Sequence, residues 1–417
     1  MVASADRARD TRTDPRQSRM YLSNLPSAFR FRVFLLICVT ALAGCASQPA
    51  RDLVSRTIAE VPASKIAGKH EIFVATTREP AREPRAVFGG RRSAELSYAR
   101  VDISVPAIHK PAEIERPINP DVGDPARYFT ALRVEGYGGD EAFLAALRDN
   151  VASHDGRALV FIHGYNTSFD NAVYRMTQIV HDAGYGGTPI LFSWASAGRT
   201  LDYVYDSNSA SAARDALEKT LLLVSRSGAK RIDVVAHSMG NWVTMEALRQ
   251  LAITGHRDLN GKLGDVVLAS PDIDVDVFKS QMRRYGKPEK PFFVMTSAND
   301  RALNVSGFIA GNRPRVGDYA DAQDLARYGV TVVDLTAMSA GDRLNHTKFA
   351  DNPVLVRLLG EHLSTPDDLN ETESEITNRI GSLAQGLGQT LTSAAEIIIT
   401  TPLEVINIAV GGGQASR

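Results

Sequence analysis

Val234-Val235-Ala236-His237-Ser238-Met239-Gly240-Asn241 is the stretch that decides how the rest of the chain reads. A β-branched run ends in a serine held between two small residues, Ala236 and Gly240. A helical pattern starts at once, with Val243, Ala247, Leu248 and Leu251 on one face. A strand, a sharp turn and a helix in that order push a serine Oγ out at the carboxyl edge of a sheet. The flanking positions must be small, because a larger side chain would strike a neighbouring strand or helix. The next amide, that of Met239, then faces the same spot and can help bind an oxyanion. The plainer alternative is an ordinary turn serine capping a helix.

Working outward, near-continuous apolar runs alternate with helical patterns for about 200 residues after Ala158. Ala158–Ile162, Pro189–Trp194, Arg231–Ala236, Asp265–Ala269, Phe292–Thr296 and Val330–Leu335 read as strands. Phe169, Val173, Met176, Val180 and Ala183 mark one intervening helix; Ala213, Leu217, Leu221 and Val224 mark another. This alternation predicts an α/β fold with a mostly parallel central sheet and helices on both faces. Ligands bind such sheets outside the strand carboxyl ends. Before Ala158, strands are expected at Glu71–Thr76 and Tyr98–Val105, with an Arg/Pro/Gly loop between them. A further extended run near Tyr128–Val134 and a short helix over Glu141–Val151 follow.

A serine hydroxyl is a weak nucleophile at neutral pH, so it needs a histidine base and an acid to orient that base. The strand Phe292–Thr296 leads into Ser297-Ala298-Asn299-Asp300, and the loop after Val330–Leu335 carries His346. Ser238, Asp300 and His346 therefore fall after three strands in the chain order Ser…Asp…His. Asp272 also follows a strand and is the alternative acid; its structural reading is an N-cap for the helix starting near Val275. His237 adjoins the serine, but neighbours in a tight turn point apart, so it reads as structural or pocket-lining. His362 reads as a surface residue of a late helix. The loop Phe161-Ile162-His163-Gly164-Tyr165-Asn166 offers the second oxyanion donor, the Tyr165 amide first and Asn166 next, alongside Met239. Two further loops, around Phe192–Tyr203 and Asn304–Tyr319, are placed to wall a pocket. No His-x-His or His-Glu-x-x-His spacing occurs, so neither a catalytic metal nor any cofactor is expected.

His-Gly-Tyr-Asn at 163–166, Ser-Trp-Ala-Ser-x-Gly at 193–198, the Ala236–Asn241 motif, Ser-Pro-Asp-Ile-Asp at 270–274 and Ser-x-x-Asp-x-Ala at 297–302 form a set. With the late histidine, it resembles an uncharacterised bacterial family of α/β-hydrolases whose members are often lipoproteins or exported proteins. The resemblance covers roughly residues 70 to 363. Ala195 departs from it, since related chains often carry proline there; that changes a loop and not the triad. The expectation is a serine hydrolase cleaving carboxylic esters, with a small-molecule or lipid-like ester as substrate; thioesters and peptides are the neighbouring chemistries. The rival from another class is a non-catalytic envelope-interaction lipoprotein on a hydrolase scaffold.

Composition fixes the setting. A formal net charge of −1 gives no bulk attraction to nucleic acid. The two cysteines, Cys38 and Cys45, make no disulfide framework. Arg30 and Arg32 precede the apolar run Val33–Val39, and Leu42-Ala43-Gly44-Cys45 looks like a lipobox cut before Cys45. That run is too short to span a bilayer and has signal-peptide flanks. Residues 1–44 are thus expected to be a lipoprotein signal, with Met20 an alternative start, and Cys45 the lipidation point and membrane anchor. Ala46, by resemblance to bacterial sorting, points to the outer membrane facing the periplasm. Loss of residues 1–44 removes seven arginines and three aspartates, moving the net charge to −5. A tether is expected over 45–68, the hydrolase domain over 69–365, and a helical or partly disordered tail over 366–417.

Overall fold

The computed structural model describes residues 52–117, 119–338, 342–364, 395–403 and 405–410. Cys45 with its lipobox, and residues 366–394 of the expected tail, lie outside them. The order of elements begins with β1 (Thr57–Ile58), β2 (Ile66–Pro80), β3 (Phe88–Pro106), β4 (Val122–Gly123) and β5 (Thr130–Tyr137). Then come α1 (Asp140–Ser153), β6 (Arg157–Ile162), α2 (Phe169–Asp182), β7 (Thr188–Ser193), α3 (Tyr203–Ala212) and α4 (Arg214–Ser225). These lead to β8 (Arg231–His237), α5 (Gly240–Ile253), β9 (Leu263–Ala269), α6 (Val275–Tyr285), β10 (Phe292–Thr296) and α7 (Arg301–Ile309). The chain continues through α8 (Ala322–Ala326), β11 (Val330–Asp334), α9 (Lys348–Asp351), α10 (Pro353–Ser364), β12 (Ala395–Thr400) and β13 (Val405–Val410).

Eleven of these strands form one sheet in the order β13-β12-β11-β10-β9-β8-β6-β7-β2-β3-β5. The seven from β11 to β2 are parallel, and an antiparallel pair extends each side. This is the expected α/β architecture.

Strand side chains alternate faces, and the two cores sort them accordingly. Val160 and Val234 pack on one side with Leu217 and Leu221 of α4 and Leu248 of α5. Leu159, Phe161 and Val235 pack on the other with Val173, Met176 and Val180 of α2. Both faces are covered, which is why the central strands read as unbroken apolar runs rather than as alternation. Each such aliphatic side chain contributes about 1.5–3 kcal/mol by leaving water.

The sheet differs from expectation at both ends. The Arg/Pro/Gly stretch between the first two long strands is mostly strand: β2 and β3 continue into long antiparallel arms, with register shifts around Arg78. Part of the expected tether is packed rather than free, although residues 56–60 are exposed. Leu53 is 1% exposed and joins the core of Phe129 and Tyr174, and β1 pairs with β4. The tail is corrected as well: β12 pairs antiparallel with β11, and β13 with β12. Ile397 and Ile399 are buried against Leu335 and Leu355, so the β-branched pattern serves a strand that covers the sheet edge. Three helices, α3, α7 and the short α8, were not read from the sequence; α3 carries little apolar periodicity.

Candidate active site

The turn after β8 is strained at Ser238. Ser238 has φ +52, the left-handed region a non-glycine residue rarely enters. Hydrogen bonds hold the backbone there. Ser238 N donates to Ala269 O (3.0 Å), and Asn241 N donates to Ser238 O (3.1 Å). The buried Asn241 Nδ2 donates to both carbonyls at 2.9 Å. A Cβ on Gly240 would lie 2.4 Å from His163 O, and one on Gly164 would lie 2.8 Å from Ser238 Cβ. The small residues are thus required by close approach, and the 163–166 loop runs directly against the serine.

Asp300 and His346 meet. His346 Nδ1 is 2.7 Å from Asp300 Oδ2, although the two are 46 positions apart. Burial disfavours a charged ring at His346, but the charge and hydrogen bond of Asp300, with Asp272 and Asp342 behind, outweigh it. His346 therefore sits above the ordinary histidine value. Asp300 has a second role: its Oδ1 accepts from Ala302 N (3.0 Å) and Leu303 N (3.1 Å), capping α7. Asp342 accepts from His346 N at 3.0 Å and Thr347 N at 3.1 Å, which fixes the turn carrying the histidine.

The segment bearing His346 meets the turn at His237. His237 Nε2 lies 3.3 Å from His346 O, and the two rings are 4.7 Å apart. His237 is held neutral, first by burial and then by the charge of His346. No hydrogen bond joins Ser238 Oγ to the His346 ring among the described residues. Nucleophile–base hydrogen bonds are often loose without substrate.

Asp272 goes elsewhere. It accepts from Ser306 Oγ (2.7 Å) and Tyr203 Oη (3.0 Å) and pairs with Arg315 Nε at 3.2 Å. Asp300, not Asp272, holds the histidine. Nor does Asp272 cap the following helix, because Asp274 accepts from Asp276 N and Val277 N.

On the oxyanion side, Asn166 N donates to Asp206 Oδ2 at 3.0 Å, so that amide is already engaged. The amides of Met239 and Gly240, at the start of α5, have no acceptor inside the helix. Beneath the loop lies Arg78, 0% exposed and unread in the sequence. Its guanidinium donates to Ser193 Oγ (2.8 Å), Ser196 O (2.8 Å) and Thr167 O (2.7 Å). Burial brings it down to about 10, against the pull of Asp206. His163, 3.2 Å from Arg78 Nη2 and stacked on Trp194, is pushed down to about 3 by burial and then by Arg78. It is neutral and structural. A lone arginine closing the apolar run Phe73–Thr77 was the available signal.

Lys348 was also missed. It is 1% exposed, and Nζ donates to Ser297 Oγ (2.9 Å), Asn299 Oδ1 (2.8 Å) and Leu335 O (2.8 Å). It ties the Asp300 loop to the end of β11 and to the segment bearing His346. Lys348→Met removes the buried donor that these groups share and is expected to cost about 1–3 kcal/mol. It should also lower kcat roughly tenfold or more with little change in KM, because the acid and the base lose register. Thermal melts and steady-state kinetics check the two halves; an unchanged kcat would show that the loops hold register without it.

The Rhizomucor miehei structure reported among two fungal esterases is 12% identical, covering 72% of this chain and 84% of that one with a TM-score of 0.36. A thermostable Pseudomonas putida esterase is 14% identical, covering 78% and 86%, TM-score 0.33. A Pyrobaculum calidifontis esterase is 14% identical, covering 84% and 97%, TM-score 0.32. At these values the likeness carries no argument about activity. No curated protein matches the sequence. Residues 140–362, more than half of the chain and spanning Ser238, Asp300 and His346, match a family described as alpha/beta hydrolase of unknown function (DUF900). This chain is a member of that alpha/beta-hydrolase family.

Proposed function

We propose that the protein hydrolyses carboxylic esters through a Ser238 acyl-enzyme, while lipidated Cys45 holds it at a membrane. In this reading Ser238 Oγ attacks the acyl carbonyl as His346 Nε2 takes its proton. Asp300 keeps the other ring nitrogen protonated and steadies the imidazolium. The amides of Met239 and Tyr165 bind the oxyanion. The alcohol leaves with the proton from His346, and a water activated by the same ring releases the acid. The observation that carries this is the 2.7 Å Asp300–His346 pair, beside a serine held at φ +52.

The pH profile tests it. A base must be unprotonated to act, and His346 is shifted upward. The kcat/KM for a p-nitrophenyl ester should therefore fall on the acid side with a midpoint above about 6.5. Stability has the opposite sign: the contribution of the Asp300–His346 pair is fully present below the unfolded histidine pKa and fades as pH rises through the folded one. Purified protein inactive across p-nitrophenyl esters of all chain lengths would overturn the ester reading. Activity confined to thioesters or peptides would reassign the substrate and keep the nucleophile.

A further inference from the structure

On the edge of the sheet opposite Ser238, three histidines far apart in sequence converge with Asp182. Helix α2 starts beside the carboxyl end of β6 and runs back, so His181 and Asp182 in its last turn reach the amino edge. His70 lies near the start of β2. The end of β3 pairs with that start (Ile66 opposite Pro106), which brings in His109 three residues later. Ligand atoms of His109, His181 and Asp182 all lie within 4.8 Å of one another, the one such group among the described residues.

Their surroundings are those of a metal site. A histidine that binds a metal through one ring nitrogen usually hands the other to a carboxylate, which fixes the ring. His109 does so: Nδ1 is 2.8 Å from Glu115 Oε2, and Nε2 faces Asp182 Oδ1 at 2.7 Å. Asp182 is anchored through its other oxygen by Ala112 N and Gln178 Nε2, each at 2.7 Å. The His181 ring is oriented by His70, whose Nε2 is 3.0 Å from His181 Nδ1. Two carboxylates converge on one imidazole, and a divalent cation would neutralise both. Mixed imidazole and carboxylate donors suit zinc and its first-row neighbours, not calcium or magnesium.

We propose that His109, His181 and Asp182 bind a divalent transition-metal ion of the zinc class, with His70 and Glu115 orienting the ligand rings. The ion would pin the end of α2 to β2 and to the segment after β3. It stands at the opposite sheet edge from the serine and takes no part in the ester chemistry.

The test uses full-length protein without a histidine tag, stripped with a chelator and titrated with zinc chloride against an indicator dye, then with cobalt chloride. Expected are one zinc per chain, a higher Tm with zinc, and a cobalt spectrum with the strong visible bands of low coordination number. His109→Gln and His181→Gln should each weaken zinc by at least about a hundredfold, and Glu115→Gln by about tenfold. His346→Ala should bind as the parent does, which separates this site from the histidines beside Ser238. If a ligand variant fails to fold, the parent stoichiometry, the cobalt spectrum and Glu115→Gln decide. No zinc or cobalt bound by the parent, undiminished binding in the folded ligand variants, or loss of binding in His346→Ala would overturn the proposal. The first of those leaves His109 as a plain ionic bridge between two carboxylates.

Discussion

Ser238→Ala is expected to lower p-nitrophenyl ester turnover by on the order of 10⁴-fold or more, with the thermal midpoint nearly unchanged. The stability half follows from the contacts. The elbow is held by the backbone of Ser238 and the side chain of Asn241, not by the serine hydroxyl. Alanine keeps the small Cβ that the approach of Gly164 demands. The activity half follows from chemistry: without Oγ no acyl-enzyme forms, and the oxyanion donors can act only on adventitious water. Steady-state assays and a melting curve on the same preparation check both. Near-parental activity with an intact fold would remove Ser238 from the mechanism.

Asp300→Asn comes next in expected size. The amide still offers Oδ1 to Ala302 N and Leu303 N, so the cap on α7 survives. At Oδ2 an acceptor for His346 Nδ1–H becomes a donor, and the ring is driven toward the wrong tautomer. A loss in kcat of about a hundredfold or more is expected, with KM near its parental value. The acid-side midpoint should also fall, because burial then acts on His346 without the compensating charge of Asp300. Asp272→Asn should behave differently. It weakens a buried pair with Arg315, so the melting temperature falls, by about 3 kcal/mol or more of stability. Its kcat should stay within about tenfold of parental. If the two variants exchange these behaviours, the acid belongs to the loop after β9.

The parts legible in sequence are those where one physical requirement leaves one residue type. Gly240 and Gly164 are glycines because backbone or Ser238 Cβ stands where a side chain would go. The parallel strands announced themselves because both faces are buried. Strand order placed Ser238, Asp300 and His346 at neighbouring carboxyl ends but left Asp272 open as the acid; the Asp300–His346 contact of 2.7 Å is what the structure adds. What stayed hidden depends on long-range polar contacts. Arg78 and Lys348 are buried cations bonded mainly to carbonyls and hydroxyls, and no spacing rule points to partners 115 and 51 positions away. The engagement of Asn166 N by Asp206 was hidden for the same reason. The β12–β13 hairpin was misread because an apolar run of six residues suits a helix or a strand equally until its partner strand is known.

An activity-directed fluorophosphonate tests the central claim most directly, because it reacts only with a serine whose base and oxyanion donors are in place. The purified full-length protein, treated at a pH above the His346 midpoint and mapped by peptide mass spectrometry, should carry one adduct, on Ser238. The same treatment of His346→Ala should leave Ser238 unmodified. No adduct on the folded parent protein, or an adduct on a different serine, would contradict the account.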